Sequence, residues 1–269
     1  MKLTASLPMY DFPEVRGALG VVWRHVALRL EQVGVEGVPA ALEHDRGLHD
    51  LWADPTLLLS QCCGYDIINR YADKLVPLAT PLYTSPGCQG CNYSSVVLVA
   101  ENSQATDLEH LRDSACVVNG LESHSGANAL RALVAPLSRN GRFFASVQVS
   151  GTHLDSVAAL TNGQADVTAI DCVTYALLER YRPLVLARTR QLCYTPRAPG
   201  IPYVTRAGTE EKLTMRLQRA LVEAFEDAEV QAACEAIFIE GIVVLPPSTY
   251  KRIAELEQFA VAQGYPELR

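Results

Sequence analysis

Apolar residues recur at helical spacing near the start of the chain. Over residues 13–33 they fall three or four positions apart, which predicts an amphipathic helix. Those positions are Val15, Leu19, Val22, Trp23, Val26, Leu30 and Val33. Short apolar runs around this helix predict strands at 2–8, 40–44, 56–61 and 75–83, and a further helix at 64–74. Strands and helices therefore alternate, as in a βαβ arrangement with a mostly parallel sheet.

The alternation stops at a segment rich in Gly, Pro and Ser, residues 84–95, and then restarts. The second series predicts strands at 95–101, 115–120, 143–149 and 165–171, and helices at 106–113, 125–137, 153–163 and 172–181. Near the C-terminal end, helices at about 209–227 and 249–263 flank a strand at 238–246. These last elements are too few for a separate domain, so they are expected to complete the first one.

The pattern therefore predicts two α/β lobes, the second inserted into the first. Lobe I comprises residues 1–90 and 188–269, and lobe II comprises residues 91–187. Each lobe is expected to hold a mixed, mainly parallel sheet flanked by helices. Two lobes joined by a hinge leave a cleft that can close on a ligand.

Composition narrows the possible partners. The chain is 49% hydrophobic and 20% charged, as in an ordinary globular protein, and its net charge of -7 argues against nucleic acid as a ligand. A bound anion would be held by local dipoles, because the overall field is negative. No apolar run approaches the roughly 18 residues of a membrane span, and the N-terminal residues do not read as a signal peptide. We therefore expect a cytoplasmic location, or a periplasmic one if a leader peptide has been removed.

The sequence Ser123-His124-Ser125-Gly126 lies between a predicted strand and a predicted helix. A helix N-terminus exposes unpaired N–H groups and the positive end of the helix dipole, which suits an oxyanion. The serine hydroxyls add donors, and Gly126 lets the backbone come close. An ordinary N-cap by Ser123 or Ser125 is the alternative. Two serines, a histidine and a glycine exceed what capping requires, which favours a ligand.

A second turn of this kind follows the next strand, where Gly151 and Thr152 lead into His153 at the start of a helix. Asp171 ends the strand after that. Strand ends of successive βα units meet at the carboxyl edge of one sheet, so these side chains are expected to face the same site. For Asp171, capping of the helix that starts at Cys172 is an equally good interpretation.

The facing wall is expected to come from the first lobe. Tyr10 follows its first strand, and Ser60 and Gln61 end its buried strand. Tyr93 lies where the chain passes between the lobes. Tyrosine suits a cleft wall because it offers an apolar ring and one hydroxyl.

Serine, histidine and aspartate near one edge could also suggest a hydrolase. However, the G-x-S-x-G nucleophile pattern is absent around Ser123 and Ser125, and nothing in the spacing requires a base oriented by a third group. The sequence also lacks a P-loop, a dinucleotide fingerprint and H-E-x-x-H. We therefore predict a protein that is not an enzyme and uses no cofactor.

Eight cysteines leave one further possibility open. Cys88 and Cys91 form C-x-x-C, which is typical of half a zinc site or of a redox pair. No second C-x-x-C or H-x(3–5)-H pair follows it. A glycine-rich turn with buried thiols is the simpler interpretation, and no metal site is predicted.

Together these residues resemble the phosphonate, phosphite and phosphate-binding proteins of ABC importers, which have the two-lobed type 2 periplasmic-binding-protein fold. The resemblance rests on a Y-x-S stretch at 93–95, an S-T-S-G-like turn at 123–126, and a G-x-H turn at 151–153 with Gly163 and Asp166 behind it. It implies that Ser123, Ser125 and His153 hold an oxyanion, and it adds Tyr93 and Ser95 as ligand residues. The expected partners are a small oxyanion and an ABC permease, and the expected state is a monomer or weak dimer.

The chain departs from the family pattern at three places. His124 replaces the middle threonine of the gripping turn, and a protonated histidine would lend an anion a proton or a charge. Val173 and Ile201 stand where aminophosphonate binders carry acidic residues, which favours a smaller or differently substituted anion. A signal peptide, which secreted members carry, is not recognised.

Three hypotheses follow from the sequence. The leading one is a solute-binding protein for a small phosphonate-, phosphite- or phosphate-like anion, serving an importer or acting as a cytoplasmic sensor. The alternative is a cytoplasmic enzyme on the same fold that acts on a small carboxylated metabolite, as menaquinone-pathway enzymes do. The third is a redox or metal protein that uses Cys88 and Cys91.

Overall fold

Helices and strands alternate along the computed structural model, which describes residues 3–269. The strands are β1 (Thr4–Ala5), β2 (Leu57–Gln61), β3 (Leu75–Tyr83), β4 (Asn92–Tyr93), β5 (Ser95–Ala100), β6 (Ala115–Val118), β7 (Ser146–Val149), β8 (Val167–Asp171), β9 (Thr189–Tyr194), β10 (Ala198–Pro199), β11 (Tyr203–Arg206) and β12 (Ile239–Val243). The helices are α1 (Arg16–Gln32), α2 (Leu48–Trp52), α3 (Gly64–Ile68), α4 (Ala129–Val134), α5 (His153–Thr161), α6 (Cys172–Tyr181), α7 (Pro183–Leu186), α8 (Glu211–Phe225), α9 (Ala228–Cys234) and α10 (Lys251–Ala262). A π-helical turn, His124–Asn128, leads directly into α4.

The chain divides into two compact units. Unit 1 comprises the residues up to Thr84, Gln89–Cys91 and Gly200–Thr249. Unit 2 comprises Ser85–Cys88, Asn92–Pro199 and Tyr250–Arg269. The segments of the two units alternate along the chain, and the last segment, Tyr250–Arg269, belongs to unit 2.

Two segments assigned to lobe I from the sequence, within 188–269, lie in unit 2 instead. The first contains β9, which completes the sheet of unit 2 by pairing with β5. The second contains α10, whose Ala260 is fully buried in the core of unit 2 together with Leu130 and Phe144. Both differences have the same cause. Strand pairing of β9 and burial of α10 join each element to residues far away in the sequence, which the local pattern does not reveal.

The sheet of unit 1 has the strand order β1–β2–β11–β3–β12. The β1–β2 pair is parallel, whereas β11 runs antiparallel to both of its neighbours and β12 runs antiparallel to β3. The prediction of a mainly parallel sheet therefore does not hold here, because two strands from the C-terminal third enter the sheet in the opposite direction. The mixed character of the sheet is as predicted.

Helix α1 packs against α8 and α9 and buries the face that its spacing predicted. Val22, Trp23 and Val26 are almost completely buried, and the indole N–H of Trp23 donates to the Pro39 carbonyl oxygen at 2.9 Å. The ring of Trp23 therefore packs in the core while its polar atom stays hydrogen-bonded, as a buried tryptophan requires.

In unit 2 the strand order is β7–β6–β8–β5–β9. Strand β6 runs parallel to β7 and β8, whereas β5 runs antiparallel to β8 and β9. The carboxyl ends of β6, β7 and β8 therefore lie at one edge of the sheet. The segments that follow these three ends carry the residues that the sequence singled out.

Local differences from the sequence pattern occur in both units. In unit 2, only a 3-10 turn, Glu109–Leu111, forms within the helix predicted over 106–113. The following differences concern unit 1. Within the described part of the predicted strand 2–8, only Thr4 and Ala5 form a strand. Residues 40–44 form none, although the Glu43 N–H donates to the Ala5 carbonyl oxygen at 2.8 Å. The helix predicted over 64–74 ends at Ile68, and the Tyr71 ring beyond it packs against Trp52 with ring centroids 5.2 Å apart. Elements α2, β11 and α9 of unit 1, and β4, α7, β9 and β10 of unit 2, were not predicted.

None of the helices formed by residues 3–269 has the length and apolar character needed to cross a bilayer. The longest of them, α1, has 17 residues and carries charged side chains along its exposed face.

The C-terminal residues close the core of unit 2. Tyr265 is fully buried, its hydroxyl donates to the Arg269 carbonyl oxygen at 2.5 Å, and that carbonyl also accepts from the Phe143 N–H at 2.8 Å. We expect Tyr265→Ala to lower the free energy of unfolding by about 3–5 kcal/mol, because it leaves a cavity and breaks these bonds. Urea unfolding followed by circular dichroism measures the change.

Phe259→Ala on α10 is the matched control, since this ring is 44% exposed. Its truncation is expected to cost about 1 kcal/mol or less. Equal losses in the two variants would show that the C-terminal residues do not belong to the core of unit 2.

Candidate functional site

Three segments at the carboxyl edge of the unit 2 sheet bring polar side chains together. The Ser125 Oγ lies 3.0 Å from the His153 Nε2, and the same Nε2 lies 3.4 Å from the Asp171 Oδ2. The Ser123 Oγ lies 3.4 Å from the Ser125 Oγ. Convergence of these strand ends, which the sequence predicted, therefore produces a connected polar group in unit 2.

The turn after β6 is a π-helical turn capped by Ser123. The Ser123 Oγ accepts from the Gly126 N–H at 3.1 Å, and the Ser123 carbonyl oxygen accepts from the Asn128 N–H at 3.0 Å. Turns of π type are wider than α-helical turns and recur at functional sites. Capping, the alternative weighed for Ser123, is thus present, and the Ser125 hydroxyl remains directed at His153.

Gly126 allows the turn to pack closely against the end of β6. A Cβ at position 126 would overlap the side-chain oxygen of Asn119 and lie 3.4 Å from the Asn119 backbone nitrogen. The Asn119 Oδ1 is buried and has no hydrogen-bond partner among residues 3–269. Sequence reasoning did not single out Asn119, although it is the first residue after β6.

Ser95 positions the turn and does not present its hydroxyl to a ligand. Its Oγ donates to the Ser125 carbonyl oxygen at 2.8 Å, and its N–H donates to the Thr195 Oγ1 at 2.8 Å. Both bonds are buried. The sequence interpretation of Ser95 as a ligand residue therefore needs revision, because its hydroxyl hydrogen is already used within the protein.

His124 is buried and neutral. The Arg131 guanidinium donates to the Asn128 Oδ1 at 2.8 Å, so the other end of that amide is its NH₂ group. This NH₂ donates to the Ile253 carbonyl oxygen at 3.1 Å and lies 3.1 Å from the His124 Nδ1, which must then be the acceptor. The ring proton is consequently on Nε2. Burial lowers the pKa of His124 to about 4.

The sequence suggested that His124 lends an anion a charge, and this suggestion needs correction. A histidine with a pKa of about 4 carries no charge near neutral pH, and what it can offer is the Nε2–H donor. Its ring lies near the buried Tyr93, with centroids 6.0 Å apart. Asn128 follows His124 by four residues and Arg131 follows Asn128 by three, a helical spacing that links the three side chains and that sequence reasoning did not use.

His153 has contacts unlike those of a catalytic histidine. Burial lowers its pKa, and the nearby Asp171 carboxylate partly opposes that effect. In a catalytic triad the serine and the acid contact different ring nitrogens. Here both Ser125 and Asp171 contact Nε2, while the buried Nδ1 has no hydrogen-bond partner in the described chain. The arrangement therefore lacks the geometry that would orient a general base.

Asp171 caps helix α6. Its Oδ1 accepts from the Val173 N–H at 3.1 Å and from the Thr174 N–H at 2.8 Å. Capping was one of the two interpretations of this residue. Its other oxygen faces His153, so Asp171 belongs to the polar group through that histidine.

The predicted wall residues of lobe I lie in unit 1. The Tyr10 ring packs edge-on against Tyr83 with centroids 5.5 Å apart, and the Ser60 Oγ donates to the Gln61 carbonyl oxygen at 3.3 Å. The Gln61 carbonyl also accepts from the Trp52 indole at 3.1 Å. Tyr10, Ser60 and Gln61 are all nearly buried, and their part in ligand binding stays a prediction.

Across residues 3–269, no three side chains of histidine, cysteine, aspartate or glutamate cluster in a way that could hold a metal ion. The polar group of unit 2 instead combines hydroxyls, ring nitrogens, backbone N–H groups and one carboxylate. Hydroxyls and N–H groups at the start of a helix are donors suited to an oxyanion.

Known proteins resemble this chain in sequence and in fold. Residues 62–250 match the family described as the phosphonate periplasmic substrate-binding protein of ABC transporters. No curated protein matches the sequence. A binding-protein component of a phosphonate ABC transporter from Pseudomonas aeruginosa superposes with a TM-score of 0.74 at 16% identity, covering 97% of this chain and 87% of that one.

Two further solved structures cover nearly the whole of both chains. The PhnD1 protein of Prochlorococcus marinus, in complex with methylphosphonate, has a TM-score of 0.73 at 13% identity and covers 96% of this chain and 97% of that one. A Xanthomonas citri protein bound to ATP has a TM-score of 0.70 at 17% identity, with coverages of 97% and 98%. The predicted fold class, the two-lobed periplasmic-binding-protein fold, is confirmed.

The pKa of His124 predicts how stability responds to acid. Because the folded-state pKa of about 4 lies below the ordinary 6.5, the unfolded chain takes up this proton first as the pH falls. The contribution of His124 to the free energy of unfolding therefore decreases between about pH 6.5 and pH 4, by on the order of 3 kcal/mol. Urea unfolding of the wild type and of His124→Thr at about pH 7 and about pH 4 measures it, and the wild type is expected to lose more stability.

Proton NMR of the His124 ring gives an independent readout. Its Cε1–H resonance is expected to stay constant while the pH falls from about 8 to about 5, since the ring remains neutral. A titration midpoint near the ordinary histidine pKa would contradict both the neutral state and the assigned hydrogen bond from Asn128.

Proposed function

Because the chain belongs to the family of phosphonate ABC-transporter periplasmic substrate-binding proteins, we propose that it captures a small phosphonate-, phosphite- or phosphate-like oxyanion at the Ser123–Gly126 turn. His153, at the next strand end, is the second hydrogen-bonding group of the site. The observation that carries the proposal is the 3.0 Å approach of the Ser125 Oγ to the His153 Nε2 at the start of a helix. Two hydrogen-bonding groups from separate strand ends thus adjoin a helix N-terminus.

The donors of this site are neutral, which fits the overall charge of the chain. The net charge is -7, so the protein does not attract anions through its overall field. Hydroxyls, the His124 Nε2–H and backbone N–H groups attract an oxyanion through local dipoles, which are strong where water is excluded. Ser125 and His124 are nearly inaccessible to solvent, so they meet that condition.

The ligand class follows from the donor set and from the family. Methylphosphonate, bound by the Prochlorococcus protein, and ATP, bound by the Xanthomonas protein, both present phosphorus oxyanions. We assign the same chemical group to this site. Val173 is apolar and fully buried where an aminophosphonate binder is expected to carry an acidic residue, so a ligand with an amino group is disfavoured.

Transport is the biological role that family membership supports. In this proposal the protein binds its ligand in the periplasm and delivers it to the permease of an ABC importer. Tyr10, Ser60 and Gln61 of unit 1 are retained as predicted ligand residues. Delivery predicts that the loaded protein stimulates ATP hydrolysis by its transporter.

Catalysis, the alternative weighed from the sequence, finds less support. The family is one of solute-binding proteins. Ser125 and Asp171 both contact the Nε2 of His153, so the histidine is not oriented for proton relay. Carboxylated metabolites are therefore expected to be recovered unchanged after incubation with the protein, as checked by mass spectrometry.

Isothermal titration with phosphate, phosphite, methylphosphonate, methylsulfonate and acetate tests the binding proposal. We expect a phosphorus oxyanion to bind most tightly and Ser125→Ala to weaken it about 10- to 100-fold, the effect of losing a hydrogen bond to a charged group. Ser114→Ala is the matched control, since its hydroxyl donates to the Leu111 carbonyl oxygen before the start of β6.

The Ser114→Ala variant is expected to bind with the wild-type affinity. Thermal shifts should rank the anions in the same order as their affinities, since a ligand stabilises the folded state in proportion to RT ln(1 + [L]/Kd). If Ser125→Ala leaves the affinity unchanged for every anion that binds, the turn is not the oxyanion site.

A further inference from the structure

Two thiols of unit 2 lie side by side outside the oxyanion site. The Cys88 Sγ is 3.4 Å from the Cys172 Sγ, and the Ser85 hydroxyl lies 3.3 Å from the Cys88 sulfur. The sequence had paired Cys88 with Cys91 in the C-x-x-C pattern. The structure instead gives Cys88 a partner 84 residues away in the chain.

The loop that carries Cys88 is built to approach helix α6 closely. Gly87 has a φ of +98°, and a Cβ there would lie 3.0 Å from the Cys172 Cβ and 2.8 Å from the Ser94 Oγ. Only glycine suits this combination of left-handed backbone and close approach. The Gly87 carbonyl oxygen accepts from the Ser94 Oγ at 2.9 Å and from the Arg197 Nε at 3.2 Å, which holds the loop against α6.

The position of Cys172 is equally well defined. It is the first residue of α6, its N–H donates to the Ser94 carbonyl oxygen at 3.0 Å, and its side chain is fully buried. Ser94 therefore bonds to both sides of the thiol pair, through its hydroxyl to the Gly87 carbonyl and through its own carbonyl to Cys172. The short distance between the sulfurs follows from these backbone constraints.

The two thiols differ in exposure and acidity. Cys88 is partly exposed, whereas Cys172 is not. The hydrogen bond between the two sulfurs lowers the pKa of Cys88 and raises the pKa of Cys172, and burial raises the latter further. Since the thiolate is the reactive form of cysteine, Cys88 is expected to react with an oxidant before Cys172 does.

We propose that Cys88 and Cys172 form a modification site, a dithiol that a hydroperoxide converts into an intramolecular disulfide. The Cys88 thiolate attacks the outer peroxide oxygen, the O–O bond breaks, and Cys88 becomes a sulfenic acid as the leaving oxygen takes a proton. The Cys172 sulfur then attacks the Cys88 sulfur and the S–OH bond breaks. The Cys172 proton leaves with the hydroxide as water. In sum two thiols are oxidised and one hydroperoxide is reduced, to an alcohol and water, or to two waters from hydrogen peroxide.

Little movement is needed for this second step. A disulfide bond is about 2.05 Å long, so the sulfurs must approach by about 1.3 Å from their present separation. Side-chain rotation of Cys88 at the loop can supply this. The product links residue 88 covalently to the first turn of α6, next to the capping residue Asp171.

Thiol trapping and peptide mapping test the proposal on the full chain. The reduced protein is treated with hydrogen peroxide and then unfolded in guanidinium chloride, which exposes the buried thiols. The remaining thiols are alkylated with N-ethylmaleimide, and the products are analysed by mass spectrometry before and after digestion with trypsin. We expect six of the eight cysteines to be alkylated, and the peptide 75–112 to be joined by a disulfide to the peptide 143–180. Reduction with dithiothreitol should restore all eight thiols.

Variants separate Cys88 from its neighbour in the same peptide. Cys91→Ser should form the disulfide as the wild type does, whereas Cys88→Ser should not form it. Cys172 is fully buried, so Cys172→Ser could also disturb the fold. Cys88 is partly exposed, and Cys88→Ser is therefore the variant that tests the proposal. The proposal is overturned if the oxidised wild type keeps both thiols alkylatable, or if Cys91→Ser abolishes the disulfide while Cys88→Ser retains it.

Discussion

The parallel alignment of β7, β6 and β8 is the constraint on which the candidate site depends. Because these strands run in the same direction, their carboxyl ends lie at one sheet edge and bring together segments about 30 and 20 residues apart in the chain. The buried hydrogen bond from the Ser95 hydroxyl to the Ser125 carbonyl then ties the turn after β6 to strand β5. Without the common edge, Ser125 and His153 would not lie within hydrogen-bonding distance of each other.

The sequence predicted the parts of this arrangement that local chemistry determines. Strand ends followed by Ser, Gly, Thr or Asp mark helix starts, and parallel βα units share an edge, so Ser123–Gly126, His153 and Asp171 could be grouped in advance. The fold class could be predicted for the same reason. Each rests on patterns within a few residues and on their order along the chain.

Long-range pairing accounts for what the sequence did not predict. Strand β11 enters between β2 and β3, and α10 packs on unit 2, because each finds a matching edge or apolar surface far away in sequence. The tautomer of His124 depends likewise on Asn128, whose own amide is oriented by Arg131. Arg131 in turn forms an ion pair with Glu257 of α10 at 3.0 Å. The orientation of the groups that contact His124 therefore depends partly on helix α10.

The strand order of the two sheets has a consequence for synthesis on the ribosome. Strands β5 to β9, which form the main sheet of unit 2, lie between residues 95 and 194 and are all available once that stretch has emerged. The sheet of unit 1 begins earlier in the chain but needs β11, residues 203–206, to join β2 to β3. Domains usually fold from the N-terminal end as they are made. Here the strands of the unit 2 sheet can pair first. Strands β1, β2 and β3 of unit 1 remain without their central strand until β11 has been made.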